Sequence, residues 1–420
     1  MTNFLELSNL NDPACGYKFG WSTIRLWTND TASCHRCDYE SIPDNFNDFH
    51  NAPEKLIARM KMALGMWPEK GCEYCRDIEV VGGISDRMDF NNINVVKNKK
   101  LVPQELIENF TLKTSPTIVE VYFNNKCNMK CVYCNSVFSS LWEVEDIKFG
   151  STYGTMPKRA KGYEERVEKW FNWLKINGQT LQEYNVLGGE PFYQDELQAN
   201  IDLFKEHPHP NLKFRIFSNF KVQKDRFRKY LKDLRSLVVE NKVGSVRLIS
   251  SIDCWGEQQE YVRTGFKMEQ WKENMDILIY EFPEIEIHCH GTMCALTLKT
   301  AKDLANIIGD YSKVRRIFQT YNLLVGPEFM QNSVFPYGFF DKDIKKLQAA
   351  ITEYGDIYRA NQILGFKDEF NSKPYEPEKI KELATYLDTL DKRRNTNWKE
   401  VFPWLDAFIK QNFIELNENG

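Results

Sequence analysis

The sequence has no uninterrupted run of about 18 apolar residues, the minimum for a membrane-crossing helix, so no span is expected. Its opening stretch, MTNFLELSNLNDPACG, lacks both the basic start and the apolar centre of a secretory leader. Internal repeats and low-complexity tracts are also missing. Charge is nearly balanced at −4, which gives no overall attraction to nucleic acid or to an anionic membrane. These absences point to a cytoplasmic globular chain for which nucleic acid is not a favoured partner, with local basic patches left open.

What is present is ample material for a core. The 420 residues are 42% hydrophobic and 14% aromatic, outside the range of disordered compositions and enough for two or three domains or for one large domain with appendages. Cysteine is plentiful, at 11 residues. In a reducing compartment clustered cysteines read as metal ligands or redox groups before they read as disulfides. Cys15, Cys34, Cys37, Cys72 and Cys75 lie early, Cys127, Cys131 and Cys134 fall within eight residues, and Cys254, Cys289 and Cys294 are scattered.

Runs rich in β-branched and aromatic residues recur from Thr117, Tyr184, Leu212, Ser245, Glu284 and Arg315, with helix-like segments such as YEERVEKWFNWLKI between them. That alternation predicts parallel β-α units. Six units are too few to close an eight-stranded barrel, so an α/β fold with an open or partial (β/α)6 barrel is expected. Before Thr117 the pattern gives way to cysteine-, Gly- and Asn-bearing loops, which suggests a small separate module over 1–112 beside a core over 113–328. The remainder, 329–420, reads as a helical extension. Ile380, Leu383, Tyr386, Leu387 and Leu390 follow helical spacing, and Pro377 suits a first turn. The extension is expected to serve as packing material or as a lid.

The sequence NNKCNMKCVYCNS follows the first of the six strands, where ligands gather in open α/β folds. Thiolates select iron–sulfur clusters or zinc. A closed zinc site wants four ligands, and this loop offers three with no histidine nearby. Three thiolates on a four-iron cluster would leave one iron open. The bland alternatives are three core cysteines or a zinc site completed from afar.

The C-x3-C-x2-C spacing with Tyr133 before the last cysteine resembles the signature of radical S-adenosylmethionine (SAM) enzymes. Further landmarks follow in order: Gly188, Gly189, Glu190 and Pro191 in LGGEP, Ser218 and Asn219 in FSNF, Ser251 and Asp253 in SSIDCW, and Arg263 in YVRTG. The resemblance spans roughly Thr117 to Val325. It implies a [4Fe-4S] cluster on Cys127, Cys131 and Cys134. It also implies SAM contacts from the glycines, Glu190, Ser218, Asn219, Ser251, Asp253 and Arg263, with Tyr133 lining the adenine pocket. The implied chemistry is reductive cleavage of SAM to a 5′-deoxyadenosyl radical that abstracts hydrogen from a substrate carbon, fed by a donor such as flavodoxin or ferredoxin. Each landmark also has a plain reading: GGEP as a turn, Asn219 as a cap, Arg263 as a surface cation, Tyr133 as core.

Cys34-x2-Cys37 and Cys72-x2-Cys75 together suggest a four-thiolate zinc site. With Cys15 added, the segment is similar to the SPASM and twitch modules of radical SAM enzymes, which hold auxiliary [4Fe-4S] clusters. It departs from them by preceding the core. Cys15, Cys34, Cys72 and Cys75 fit that spacing best, with Cys37 as the rival ligand. In HCHGTMC, His288 and His290 share one face of a strand and Cys289 takes the other, which suits core packing or a pocket wall better than a ligand set. Cys254 suits either a buried inert thiol or a hydrogen donor to a substrate radical. Two functional readings result: a radical SAM oxidoreductase or maturase acting on a peptide or small metabolite, and a non-catalytic zinc-stabilised binding protein.

Overall fold

Six strands and the helices between them arise where β-branched and aromatic runs alternate with amphipathic segments, and a computed structural model shows them in chain order. The structure describes residues 15–68, 71–80, 85–88, 90–91, 112–154 and 156–414. The opening stretch read for a leader lies outside these, as do Gly82 and Gly83 of the second cysteine motif. Among the described residues no helix is long and apolar enough to cross a membrane.

The strands are β1 (Trp21–Arg25), β2 (Asp30–Ala32), β3 (Glu40–Ser41), β4 (Ile118–Tyr122), β5 (Glu183–Leu187), β6 (His209–Ser218), β7 (Val243–Ser251), β8 (Glu286–Met293) and β9 (Ile317–Leu323). They form a nine-stranded, mostly parallel sheet in the order β3-β2-β1-β4-β5-β6-β7-β8-β9. The described residues fall into two compact units. The first comprises Met1–Asn125, Pro157–Ile216 and Ser236–Val246, and the second Lys126–Met156, Phe217–Arg235 and Arg247–Gly420.

In the first unit β1 runs parallel to β4 from Trp21↔Ile118 to Arg25↔Tyr122, and β4, β5 and β6 continue in parallel. β2 adds antiparallel to β1, and β3 adds antiparallel to β2. The cysteine-rich segment thus contributes three strands to the sheet. Helices Tyr163–Asn177 and Asp195–Glu206 bury aromatic side chains here, with Tyr184 and Phe214 stacked at 5.6 Å and the Tyr184 hydroxyl donating to Asn200 Oδ1 at 2.8 Å.

In the second unit β7, β8 and β9 are parallel, with Ser251↔His290 and His290↔Thr320 in register. Helix Leu298–Val314 covers one face, and Met293, Ala301 and Ala305 join one apolar core with Val132, Trp142, Leu383 and Leu387. Helix Pro377–Arg394 starts at the expected proline and buries Ile380, Leu383, Tyr386, Leu387 and Leu390. Its apolar spacing is therefore used for packing.

Candidate functional site

The cysteine loop begins just past β4 and is tied to the helix that follows it. Ser139 caps helix Ser140–Phe149 by accepting from the Trp142 amide, and its hydroxyl donates to the Met129 carbonyl at 2.7 Å. The Cys127 amide donates to Ser140 Oγ at 3.1 Å, and Trp142 Nε1 donates to the Cys131 carbonyl at 2.8 Å. From the other side, the Lys130 and Val132 amides donate to the Thr264 and Val262 carbonyls, at 2.9 and 2.7 Å. A serine cap and a buried tryptophan therefore fix a loop that has no regular structure of its own.

All three thiols are half-buried. Burial, followed by the neighbouring Cys131 and Cys127, pushes the Cys134 thiol well above its usual range. Burial likewise raises Cys131, while Arg263 pulls it down. Arg263 Nη1 lies 4.0 Å from Cys131 Sγ. Its other two nitrogens, Nε and Nη2, donate to Asp253 Oδ2 and Oδ1, both at 2.8 Å. Burial works against the Arg263 charge, but Asp253, Tyr133 and Cys131 outweigh it and hold the guanidinium well above its usual range.

Asp253 is fully buried and accepts two further hydrogen bonds, from the Tyr133 hydroxyl at 2.6 Å and the Thr292 amide at 2.8 Å. Four donors commit this carboxylate to neighbours within the protein, so its role in the structure is to aim Arg263. Tyr133 sits under Arg263, 5.7 Å from its ring centre to the guanidinium carbon. The structure thus brings Tyr133, Asp253, Arg263 and the cysteine loop into one polar network.

Asn219 joins the same loop. Its Nδ2 donates to Asn128 Oδ1 at 2.8 Å, and its Oδ1 accepts from the Lys221 amide at 2.8 Å. Ser218 Oγ accepts from the Phe220 amide at 3.0 Å, a turn role at the end of β6 where Phe220 adopts φ 58°. Ser251 is half-buried at the end of β7. Gly188, Gly189 and Glu190 belong to the first unit. Gly188 has φ 88°, and a Cβ there would stand 2.8 Å from the Tyr122 ring, so only glycine fits. Glu190 is buried and accepts from the Phe192 amide at 3.3 Å, capping the turn Pro191–Tyr193.

Sequence reasoning missed several parts of this network. Asn128 lies inside the cysteine motif, and its Nδ2 donates to the Lys221 carbonyl at 2.7 Å while Lys221 Nζ donates to the Asn128 carbonyl at 3.2 Å. Burial draws Lys221 below its usual range, with Cys127 opposing. Tyr386 donates to the Val132 carbonyl at 2.7 Å, and Arg394 Nη1 donates to the Lys130 carbonyl at 3.1 Å. Neither had a local signal, since both reach the loop across more than 250 residues.

In the first unit Cys34 and Cys37 have their sulfurs 3.2 Å apart, and buried Lys18 donates from Nζ to Cys37 Sγ at 2.8 Å. Hydrogen bonds from Cys34 and Cys72 hold the Cys37 thiol well below its usual range, with burial opposing and Lys18 assisting. Gly71 makes this approach possible: it has φ 74°, and a Cβ would lie 3.0 Å from Cys37 Cα. Cys15, Cys34, Cys72 and Cys75 line one small cavity with Lys18 and Arg36. Cys37 meets Cys34 and Cys72 directly, while the other four early cysteines line that cavity.

Among the described residues no group of three or more His, Cys, Asp or Glu side chains is drawn up to hold a metal ion. The Cys127–Cys134 loop supplies three half-buried thiols, donors of the kind that iron–sulfur clusters and zinc both take. Cys254, Cys289 and Cys294 are buried to 0–1% exposure, and the Cys254 thiol donates to Gln259 Oε1 at 3.6 Å.

No family model matches the chain, and no curated protein matches it. Among solved structures it is similar to that of TYW1 with a lysine-pyruvate adduct bound. The TM-score is 0.30 and the identity 16%, over 57% of this chain and 71% of that one. A likeness this distant carries no assignment.

Proposed function

We propose that the chain is a radical SAM enzyme with a partial-barrel core over 113–328, acting on a peptide or small metabolite. The observation that carries this reading is the braced loop of three thiols with Arg263 turned toward Cys131. Cys127, Cys131 and Cys134 would hold a [4Fe-4S] cluster with one iron left to SAM. When bound, these groups supply one-electron cleavage of the sulfonium and a 5′-deoxyadenosyl radical that abstracts hydrogen.

The protein's own residues do the rest. Arg263 sets a cation beside the Cys131 sulfur, which favours thiolate there and suits it to the carboxylate of a ligand. Asp253 fixes the guanidinium, and Tyr133 offers a ring beside it for an adenine. Asn219 holds the loop through Asn128. Gly188 and Gly189 keep backbone bare for close approach, Glu190 supplies an acceptor for an ammonium, and Ser218 and Ser251 supply hydroxyls at strand ends. The module over 1–112 would hold an auxiliary [4Fe-4S] cluster on four of Cys15, Cys34, Cys37, Cys72 and Cys75.

The test is anaerobic incubation of iron-loaded protein with SAM and a strong reductant, followed by mass spectrometry for 5′-deoxyadenosine. Formation of that product, and its loss in Cys131→Ala, is expected. Absence of the product together with no SAM-dependent change in the reduced cluster's spin-resonance spectrum would refute the reading. A second reading, a zinc-stabilised binding protein, draws support from the close Cys34–Cys37 contact. Metal analysis separates the two: about 8 irons per chain for two four-iron clusters, against zinc alone.

A further inference from the structure

We infer that the outer face of helix Ser140–Phe149 is the docking surface for an acidic protein that delivers electrons, one at a time, to the cysteine loop. The helix is apolar on two sides. Its inner side buries Trp142, together with the acids Glu145 and Asp146. On the opposite side Leu141, Val144 and Ile147 recur every three residues, which places them in one stripe along the helix. They are 39%, 62% and 71% exposed, and Phe149 at the end of the helix is 46% exposed. Single apolar side chains on a surface are ordinary, but a contiguous run of them marks an interaction site.

The charge around the stripe decides what covers it. Two of the helix's acids are turned away from it: Glu145 is paired with Lys130 and Arg394, and Asp146 is buried. The third, Glu143, is half-buried. Cations stand at both ends. Lys148, four residues on from Val144, is exposed, with Nζ 4.8 Å from the Phe149 ring centre. Arg393 lies 5.3 Å over the same ring and donates from Nη2 to the Gly150 carbonyl at 3.1 Å. That contact brings the basic last turn of helix Pro377–Arg394, with exposed Lys392, to this end. At the other end Lys126 is exposed, one residue before Cys127, whose amide meets Ser140 Oγ. An apolar stripe with cations at both ends fits a partner whose apolar patch is rimmed by carboxylates. A second copy of the chain does not supply one, because in either orientation the two helices would set cations against cations.

The position decides the partner's task. Ser139, Ser140 and Trp142 hold the backbone of Met129, Cys127 and Cys131, so the inner side of the helix is in contact with the loop itself. The stripe then lies about one helix width, ~10 Å, from that loop. A carrier seated on it loses one electron and the centre on Cys127, Cys131 and Cys134 gains one, with no bond made or broken. The task of electron delivery rests on the radical SAM reading, which requires an electron from outside for each sulfonium cleaved, whereas the fit of the surface to an acidic protein does not. A lipid surface suits this face less well, since helices that lie in membranes carry a longer apolar side.

The test uses the full-length, iron-loaded, oxidised protein, with reduced flavodoxin as the acidic carrier and dithionite as a small reductant that needs no docking face. In the double variant Val144→Glu with Ile147→Glu, loss of the cluster's visible absorbance on adding flavodoxin should slow about tenfold or more, and in Lys148→Glu about threefold. The rate with dithionite should stay as in the wild type. Calorimetric binding of flavodoxin should weaken in the same variants whether or not iron is loaded. Binding therefore reads the face and dithionite reads the cluster, so either proposal can fail alone. Val144→Ser with Ile147→Ser, expected to act in the same direction, covers the case in which the glutamates disturb folding. Flavodoxin binding unchanged in these variants would overturn the inference, as would a dimer, or an affinity for anionic phospholipid vesicles, that the same substitutions abolish.

Discussion

Asp253 shows how a single residue governs the candidate site. A carboxylate with four donors and no exposure is inexpensive to keep only while its partners remain. Replacing it by alanine strands the Arg263 guanidinium, whose side chain is 10% exposed. Asp253→Ala should therefore cost about 3–5 kcal/mol, the usual range for breaking a buried pair from one side. Urea denaturation of wild type and variant checks this, and a loss below about 1 kcal/mol would contradict it. The buried thiols give a second residue-scale expectation. Burial pushes Cys289 and Cys294 from 9.0 up to about 12. The folded protein keeps these protons where the unfolded chain has released them, so unfolding gains as pH rises. Stability from this source should be complete below about pH 9 and decline toward pH 12, which thermal melts across that range would show. At this scale the cysteines, glycines and Glu190 were legible because each motif is local. The commitment of Asp253 was not, because Tyr133 lies 120 residues from it along the chain.

The helix Pro377–Arg394 shows the same division at the scale of an element. Its apolar stripe and first-turn proline were legible, and its residues are buried as that spacing implies. Its work on the cysteine loop was not, because hydrogen bonds to carbonyls leave no trace in periodicity. Tyr386 meets the Val132 carbonyl, and Arg394 pairs with buried Glu145 while reaching the Lys130 carbonyl and Thr264 Oγ1. Tyr386→Phe should cost about 1 kcal/mol, the worth of one hydrogen bond. Arg394→Met should cost about 3 kcal/mol, at the low end for a broken buried pair because Lys130 remains on Glu145. Both variants should also speed hydrogen exchange at the Lys130 and Val132 amides, which close the loop onto residues 262–264. Exchange that quickens throughout the second unit, rather than at these amides first, would argue against a local brace.

At the scale of the whole chain, the six runs read from the sequence correspond to β4 through β9 because strands favour β-branched and aromatic residues that pack on a pleated surface. Between Cys15 and Cys34 the sequence reads as a strand-like stretch with a turn, where β1 and β2 lie, whereas β3 escaped notice because it is two residues long. Their pairing nonetheless matters more than their length. β1 matches β4 over five residue pairs, from Trp21↔Ile118 to Arg25↔Tyr122, and Thr23 Oγ1 donates to buried Glu120 Oε2 at 2.8 Å. A chain beginning at Lys113 would leave the β4 edge without its ladder, with Glu120 short of that donor. An uncovered parallel edge of this kind invites association. The truncated chain should therefore aggregate on expression, and adding residues 1–112 as a separate polypeptide during refolding should restore solubility. A soluble, monomeric 113–420 fragment, judged by size-exclusion chromatography with light scattering, would show instead that the cysteine-rich segment is dispensable to the sheet it joins.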